Sequence, residues 1–248
     1  MIITEPNHRT GVILAAGFGS RLAGTVKETS LKPLTPVAGI PLIFRTIHSL
    51  EVAGCSKIVI VLGYAYDEIK ADIEKIYSGK TPVVFVRNEK YKLANGVSVL
   101  SALPEIDGDE FVLTMADHIL SDEMMQLAAK HVPITNGATL LVDFKIDSIF
   151  DMDDATKVYQ EEGLIVRIGK MITDYNCIDT GVFVCTKGLT EFIQTVYNEK
   201  GDASLSDGVQ ALSARKRMAV LDIKDAFWQD IDTPEMLGHA EEYFKKLN

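Results

Sequence analysis

Only one tryptophan, three cysteines and eight prolines occur in the 248 residues, and basic residues are outnumbered by acidic ones, 25 to 35. The deficit of positive charge, a net −10, argues against a nucleic-acid binder, whose phosphate partner calls for a basic face. It leaves nucleotide binding open, because a local arginine, lysine or magnesium site overrides a distant acidic field. Cys55, Cys177 and Cys185 form no C-x-x-C pair and leave one odd. A disulfide framework and a cysteine zinc site are thereby set aside, and a reducing cytoplasm is the expected compartment. No apolar run reaches the ~18 residues of a membrane span. The polar start Met1–Thr10, with Pro6, does not read as a signal peptide.

What is present is an ordinary soluble balance, 47% hydrophobic and 24% charged, in a length that suits one large α/β domain. Apolar runs alternate with helical patterns: strands at Gly11–Ala16, Lys57–Leu62, Pro82–Val86 and Phe111–Met115, and helices at Pro41–Ala53, Tyr66–Tyr77, Gly96–Leu103 and Asp122–His131. Ile69, Ile73 and Ile76 mark one face of the second helix. Strands this apolar, separated by helices, predict a doubly wound, mostly parallel, Rossmann-like sheet covered on both faces. From Ala138 the connections shorten. Ala138–Lys145, Thr156–Gln160, Leu164–Ile168 and Thr180–Cys185 read as an antiparallel extension, before helices at Leu189–Tyr197 and Leu205–Ala214. Met218–Ile223 is a late strand and Pro234–Leu247 a closing helix. The expectation is a single domain over 1–248, with a mostly parallel half at about 10–135 and a half with the antiparallel extension at about 136–248.

The most informative stretch is Val12–Pro41. A strand ends in Leu14, Ala15, Ala16 and Gly17, then Gly19 and Ser20 precede Arg21, and Lys32-Pro33-Leu34 follows. Small residues let the backbone approach a polyphosphate, and Arg21 and Lys32 supply cations for it. The stretch has no Gly-Lys-Ser/Thr ending of a Walker loop, and Leu22 stands where a dinucleotide fingerprint needs its third glycine. In a doubly wound sheet the ligand lies beyond the carboxyl ends of the strands, so Gly17 and Asp117 should share a crevice. Asp117 follows the strand Phe111–Met115 after Ala116 and is a candidate Mg²⁺ ligand, while Ser121 or Asp122 is better placed to cap the next helix. Asp230 and Asp232 alternate and face one way if that segment is extended, and Thr233-Pro234 reads as a helix start. His118 has no partner in the sequence and suggests no nucleophile.

The run L-A-A-G-x-G-x-R-L followed by K-P-L resembles the signature of nucleotidyltransferases that activate sugar and alcohol phosphates. Further motifs narrow the resemblance to CTP:inositol-1-phosphate cytidylyltransferases: Ala155-Thr156-Lys157-Val158, Ile168-Gly169-Lys170, Cys177-Ile178-Asp179-Thr180-Gly181, and Asp117-His118 at the strand end. The match runs from Val12 to about Ala240. It implies CTP and inositol 1-phosphate as substrates and Mg²⁺ on Asp117 with Asp230 or Asp232, the choice between the last two left open. Arg21 and Lys32 would act on the phosphates. Asn95 and Gly96 would lie against the base, with Leu14 to Gly17, Gly19, Ser20 and Ala116 around the nucleotide. Lys170 with Lys157 would grip the acceptor phosphate, beside Asp179, Thr180 and Gly181. A homodimer is left open. So are a sugar-1-phosphate or phosphocholine acceptor, the latter with Tyr159, Tyr175, Phe183 and Trp228 as a cage, and a non-catalytic subunit. Departures are Ala116 in place of glycine and a longer Ala23–Ser30 loop with Lys27. Many members also carry a C-terminal membrane synthase domain, which these 248 residues lack, so a stand-alone and a trimmed transferase both fit.

Overall fold

Arg9–Ala15 (β1) is buried at every residue, and adjacent side chains go to opposite faces of the sheet it centres. Val12 and Leu14 enter one core and Ile13 and Ala15 the other, the period-two partition of a strand covered on both sides. The computed structural model describes residues 9–19 and 31–247.

Short ribbons Pro36–Val37 (β2) and Ile40–Pro41 (β3) lead into Leu42–Val52 (α1). Cys55–Leu62 (β4), Tyr66–Ile76 (α2), Val83–Arg87 (β5), Asn95–Ala102 (α3) and Glu110–Met115 (β6) follow. After His118–Leu120 (β7) come Asp122–Lys130 (α4), Ala138–Asp143 (β8), Lys157–Glu161 (β9), Leu164–Gly169 (β10) and Cys177–Thr186 (β11). The chain continues as Lys187–Lys200 (α5), Leu205–Ser213 (α6), Met218–Asp222 (β12), Trp228–Asp230 (β13) and Pro234–Leu247 (α7).

Nine strands form one sheet in the order β5-β4-β1-β6-β11-β8-β12-β10-β9. The first four are parallel, and β11 enters antiparallel between β6 and β8. The expected doubly wound sheet with an antiparallel extension is therefore present. One detail differs: β8 pairs antiparallel with β11 but parallel with β12, a long-range pairing that local connection length does not encode. Glu162 and Gly163 both take positive φ, +50° and +79°, in the tight turn between β9 and β10.

Helices α3, α5 and α6 cover the face holding Val12 and Leu14, and α1, α2 and α4 the face holding Ile13. A third cluster, Val37, Leu42, Ile119, Ile231, Met236 and Ala240, seats α7. Ile76, expected on the buried face of α2, is 56% exposed because the helix ends there. The sequence also contains Gly79-Lys80-Thr81, but Glu74 stands where a Walker loop needs its first glycine. That tripeptide lies just before β5, at the opposite end of the sheet from Gly17. Among the described residues no helix is long and apolar enough to cross a membrane.

Candidate active site

The carboxyl ends of β1 and β6 meet where expected. The Ala116 N–H donates to the Leu14 carbonyl at 3.1 Å, and the Tyr64 N–H donates to the Ala16 carbonyl at 3.1 Å. Among the described residues, no atom lies within 4 Å of where a Cβ at Gly17 would stand, and Gly17 is exposed. Gly19 is held differently: its φ is +61° and a Cβ there would lie 2.5 Å from Lys32 Cβ. Close packing of Gly19 on Lys32 ties the glycine turn to the Lys32–Leu34 helical turn.

Lys32 is the hub. Its Nζ donates to Asp117 Oδ2 and to Asp232 Oδ1, both at 2.5 Å. Residues 85 and 200 positions away in sequence thus share one cation. Burial works against the Lys32 ammonium, but the two carboxylates hold its pKa above the ordinary value. Burial alone would raise the Asp117 carboxyl; Lys32 and the His118 ring instead hold it well below the usual carboxylate range.

A small two-stranded ribbon sets this convergence. Strands β7 and β13 pair antiparallel, with His118 opposite Asp230 and Leu120 opposite Trp228. The Ile231 N–H donates to the Asp117 carbonyl at 2.8 Å, which locks the two acidic segments together. Ser121, not Asp117, caps α4. Burial, with the neighbouring Asp232 and Asp117 charges, raises the Asp230 carboxyl.

The C-terminal half contributes charged side chains to the site. One carboxylate oxygen each from Asp154, Asp230 and Asp232 lies within 4.8 Å of the others. These hard oxygens, together with Asp117 reaching the same cation as Asp232, fit a divalent metal such as Mg²⁺. Lys170 Nζ pairs with Asp154. Asp179 accepts the Gly181 N–H at 2.7 Å, and burial pushes its carboxyl up to about 6. A cleft of about 610 Å³ is lined by Leu14, Ala16, Gly17, Asn95, Asp117, Lys170, Asp179, Gly181, Asp230 and Asp232, among others. A second, of about 340 Å³, adds Ala15, Gly19, Lys32 and Ala116.

A family model described as the MobA-like NTP transferase domain matches residues 11–144. The chain belongs to that NTP transferase family. It is 33% identical over 238 residues to the bifunctional IPC transferase and DIPP synthase of Aquifex aeolicus, covering 96% of this chain and 52% of that protein. The chain thus spans about half the length of the bifunctional relatives it matches. The 2-aminoethylphosphonate cytidylyltransferase of Lancefieldella rimae is 32% identical, over 78% of this chain and 75% of its own. The solved inositol-1-phosphate CTP transferase from T. maritima superposes with a TM-score of 0.81 at 26% identity, covering 96% of this chain and 98% of that one.

Within this NTP transferase, several expected residues hold the scaffold instead. Lys157 does not grip from the cleft: its ammonium is buried and donates to the carbonyls of Met152, Ala155 and Lys170. It therefore ties Lys170's backbone to the loop that carries Asp154. Thr180 is fully buried, its hydroxyl donating to the Leu141 carbonyl. Gly96 faces the chain, where a Cβ would lie 2.5 Å from the Ala203 carbonyl oxygen. Asn95 lines the cleft and also accepts the Leu205 N–H at 2.8 Å, so it joins α3 to the start of α6 rather than capping its own helix. Of the four aromatics considered for a cage, Phe183 and Trp228 line the cleft, while Tyr159 bonds Glu161 and stacks under Arg167. Ser20, Arg21 and Lys27 lie outside the described residues.

Asp154, Asp143 and the His118–Asp117 bond were not foreseen. Asp154 sits in the acidic run Asp151-Met152-Asp153-Asp154, whose members sequence alone does not tell apart. Asp143 is buried beneath the cleft and accepts the Trp228 indole N–H at 2.9 Å.

Proposed function

We propose that the chain transfers CMP from CTP to inositol 1-phosphate, giving CDP-inositol and pyrophosphate. The carrying observation is Lys32 shared by Asp117 and Asp232 between the glycine turn and the acceptor carboxylates. An oxygen of the inositol phosphate attacks the α-phosphorus of CTP. The bond from that phosphorus to the bridging oxygen of the β-phosphate breaks, and pyrophosphate departs with its electrons. The acceptor phosphate is already ionised, so alignment and charge neutralisation carry the rate rather than a strong base.

The turn Ala15–Gly17 with Gly19 receives the triphosphate backbone to backbone. Lys32 stabilises charge at the reacting phosphorus, and Arg21, by resemblance, holds the leaving phosphates. Asp117 and Asp232, with Asp230 and Asp154 beside them, would hold Mg²⁺, which when bound neutralises phosphate oxygens. Lys170 and Asp179 orient the acceptor. The likeness to the T. maritima inositol-1-phosphate CTP transferase over both chains supports this choice of substrates. The three free, buried cysteines support a cytoplasmic setting.

A second reading, an aminoalkyl phosphonate or an amino-alcohol phosphate as acceptor, is favoured by the likeness to 2-aminoethylphosphonate cytidylyltransferase and by Asp143, Asp151, Asp154 and Asp179 around the acceptor cleft. Pyrophosphate release with Mg²⁺ tests both. CTP, UTP, dTTP, ATP and GTP are each paired with inositol 1-phosphate, glucose 1-phosphate, phosphocholine and 2-aminoethylphosphonate. Release with CTP and inositol 1-phosphate is expected. Release only with an ammonium-bearing acceptor selects the second reading. CTP binding without release from any pair sinks both in favour of a non-catalytic subunit.

A further inference from the structure

His118 is fixed on three sides. Nδ1 lies 2.7 Å from Asp117 Oδ1. The ring lies within 18° of the Trp228 indole plane, with centroids 6.2 Å apart. Toward Nε2 stands Gly181, whose φ is +75° and where a Cβ would come within 2.6 Å of that nitrogen. Trp228 is itself anchored through its indole N–H to the buried Asp143 carboxylate. A strand irregularity between Asp179 and Phe183 in the β11–β8 pairing brings Gly181's backbone to this place.

These contacts divide the two oxygens of Asp117. An ionised carboxylate only accepts hydrogen bonds, so Nδ1 must be the donor to Oδ1. Oδ2 then faces the cation, which here is the Lys32 ammonium. We infer that His118 is a positioning residue, whose Nδ1–H holds the Asp117 carboxylate so that Oδ2 alone is presented to the cation. The inference rests on the metal role proposed above for Asp117. An imidazole bonded to a metal-facing carboxylate is an outer-shell partner, and loss of such partners weakens metal binding by roughly 10–100-fold.

Two amides separate this from a packing role. The asparagine side-chain nitrogen overlays Nδ1 of histidine, whereas the glutamine nitrogen overlays Nε2. His118→Asn, His118→Gln and His118→Phe are titrated with Mn²⁺ in the presence of a non-hydrolysable CTP analogue. Binding is followed by Mn²⁺ electron paramagnetic resonance and by fluorescence of Trp228, the only tryptophan in the sequence. The expected result is a Mn²⁺ midpoint within about threefold of wild type for His118→Asn, and about tenfold or more weaker for His118→Gln and His118→Phe. Turnover of His118→Gln should recover with added Mg²⁺ more than with added acceptor. Equal midpoints for the asparagine and glutamine variants, or no shift in any of the three, would overturn the inference while leaving the metal reading standing. Wild-type protein that binds no Mn²⁺ would overturn both.

Discussion

The two halves of the cleft are made of different material. Around the proposed nucleotide side, the end of β1 and the turn after it offer Leu14, Ala15, Ala16 and Gly17, three of them with a methyl or no side chain. Around the proposed acceptor side, antiparallel strands and the loop after β8 offer residues with charged side chains, Asp143, Asp154, Lys170 and Asp179. Under the proposed reaction, the difference follows from the ligands that each half would meet. A triphosphate is recognised by close approach and N–H groups, which a glycine turn supplies without adjustment. An acceptor carrying several polar groups needs directed side chains, which are replaceable one at a time. The nucleotide half should therefore be intolerant of change, and the acceptor half tunable.

The largest expected effect breaks the junction between the halves. Asp117→Asn or Lys32→Met should lower kcat for pyrophosphate release on the order of 10²–10³-fold, the scale of one electrostatic stabiliser. Wild-type turnover by Asp117→Asn would remove that carboxylate from the chemistry. On the acceptor side, Lys170→Ala should raise the acceptor KM about tenfold, the scale of a lost charged hydrogen bond, and leave the CTP KM unchanged. An equal rise in both KM values would erase the distinction between the halves.

Gly96→Ala tests the stiffness of the nucleotide half. Its methyl would meet the Ala203 carbonyl, so thermal unfolding should show a loss of about 1–3 kcal/mol. An unchanged melting temperature would mean that the 203–204 turn yields freely.

Asp179 gives the acceptor half a pH signature. Its carboxyl rises from 3.8 to about 6 on burial, so the folded state holds that proton more tightly than the unfolded chain. The penalty for burying it is absent below about pH 4, grows as pH rises, and is complete above about pH 6. Asp179→Asn should therefore gain in melting temperature relative to wild type across that window. Parallel profiles for the two proteins would show that Asp179 ionises freely in the fold. The smallest effect belongs to Thr114, in mid-strand on β6, whose buried hydroxyl has no hydrogen-bond partner among the described residues. Thr114→Val should be neutral or stabilising by up to about 1 kcal/mol, read as a small upward shift in melting temperature.

The same contrast governs what could be read ahead of the structure. Strands β1, β4 and β6 were legible because burial on both faces demands an unbroken apolar run, and Pro234 announced α7 at its first residue. The ribbon of β7 and β13 was not legible, since three residues a side carry no period. Its partner strands are also joined only through the fold. Lys157 and Lys170 look equivalent along the chain. One is buried under three carbonyls and the other faces Asp154 in the cleft.

The sequence by itself determined the alternation of strands and helices, the glycine turn and the identity of the charged residues, because these depend on neighbours a few positions apart. Tertiary structure alone decided that Lys32 lies between Asp117 and Asp232, that Asp154 joins Asp230, and that His118 takes one oxygen of Asp117. Those are pairings over tens to hundreds of residues. Their energies depend on distance and burial, and neither exists until the sheet has closed around them.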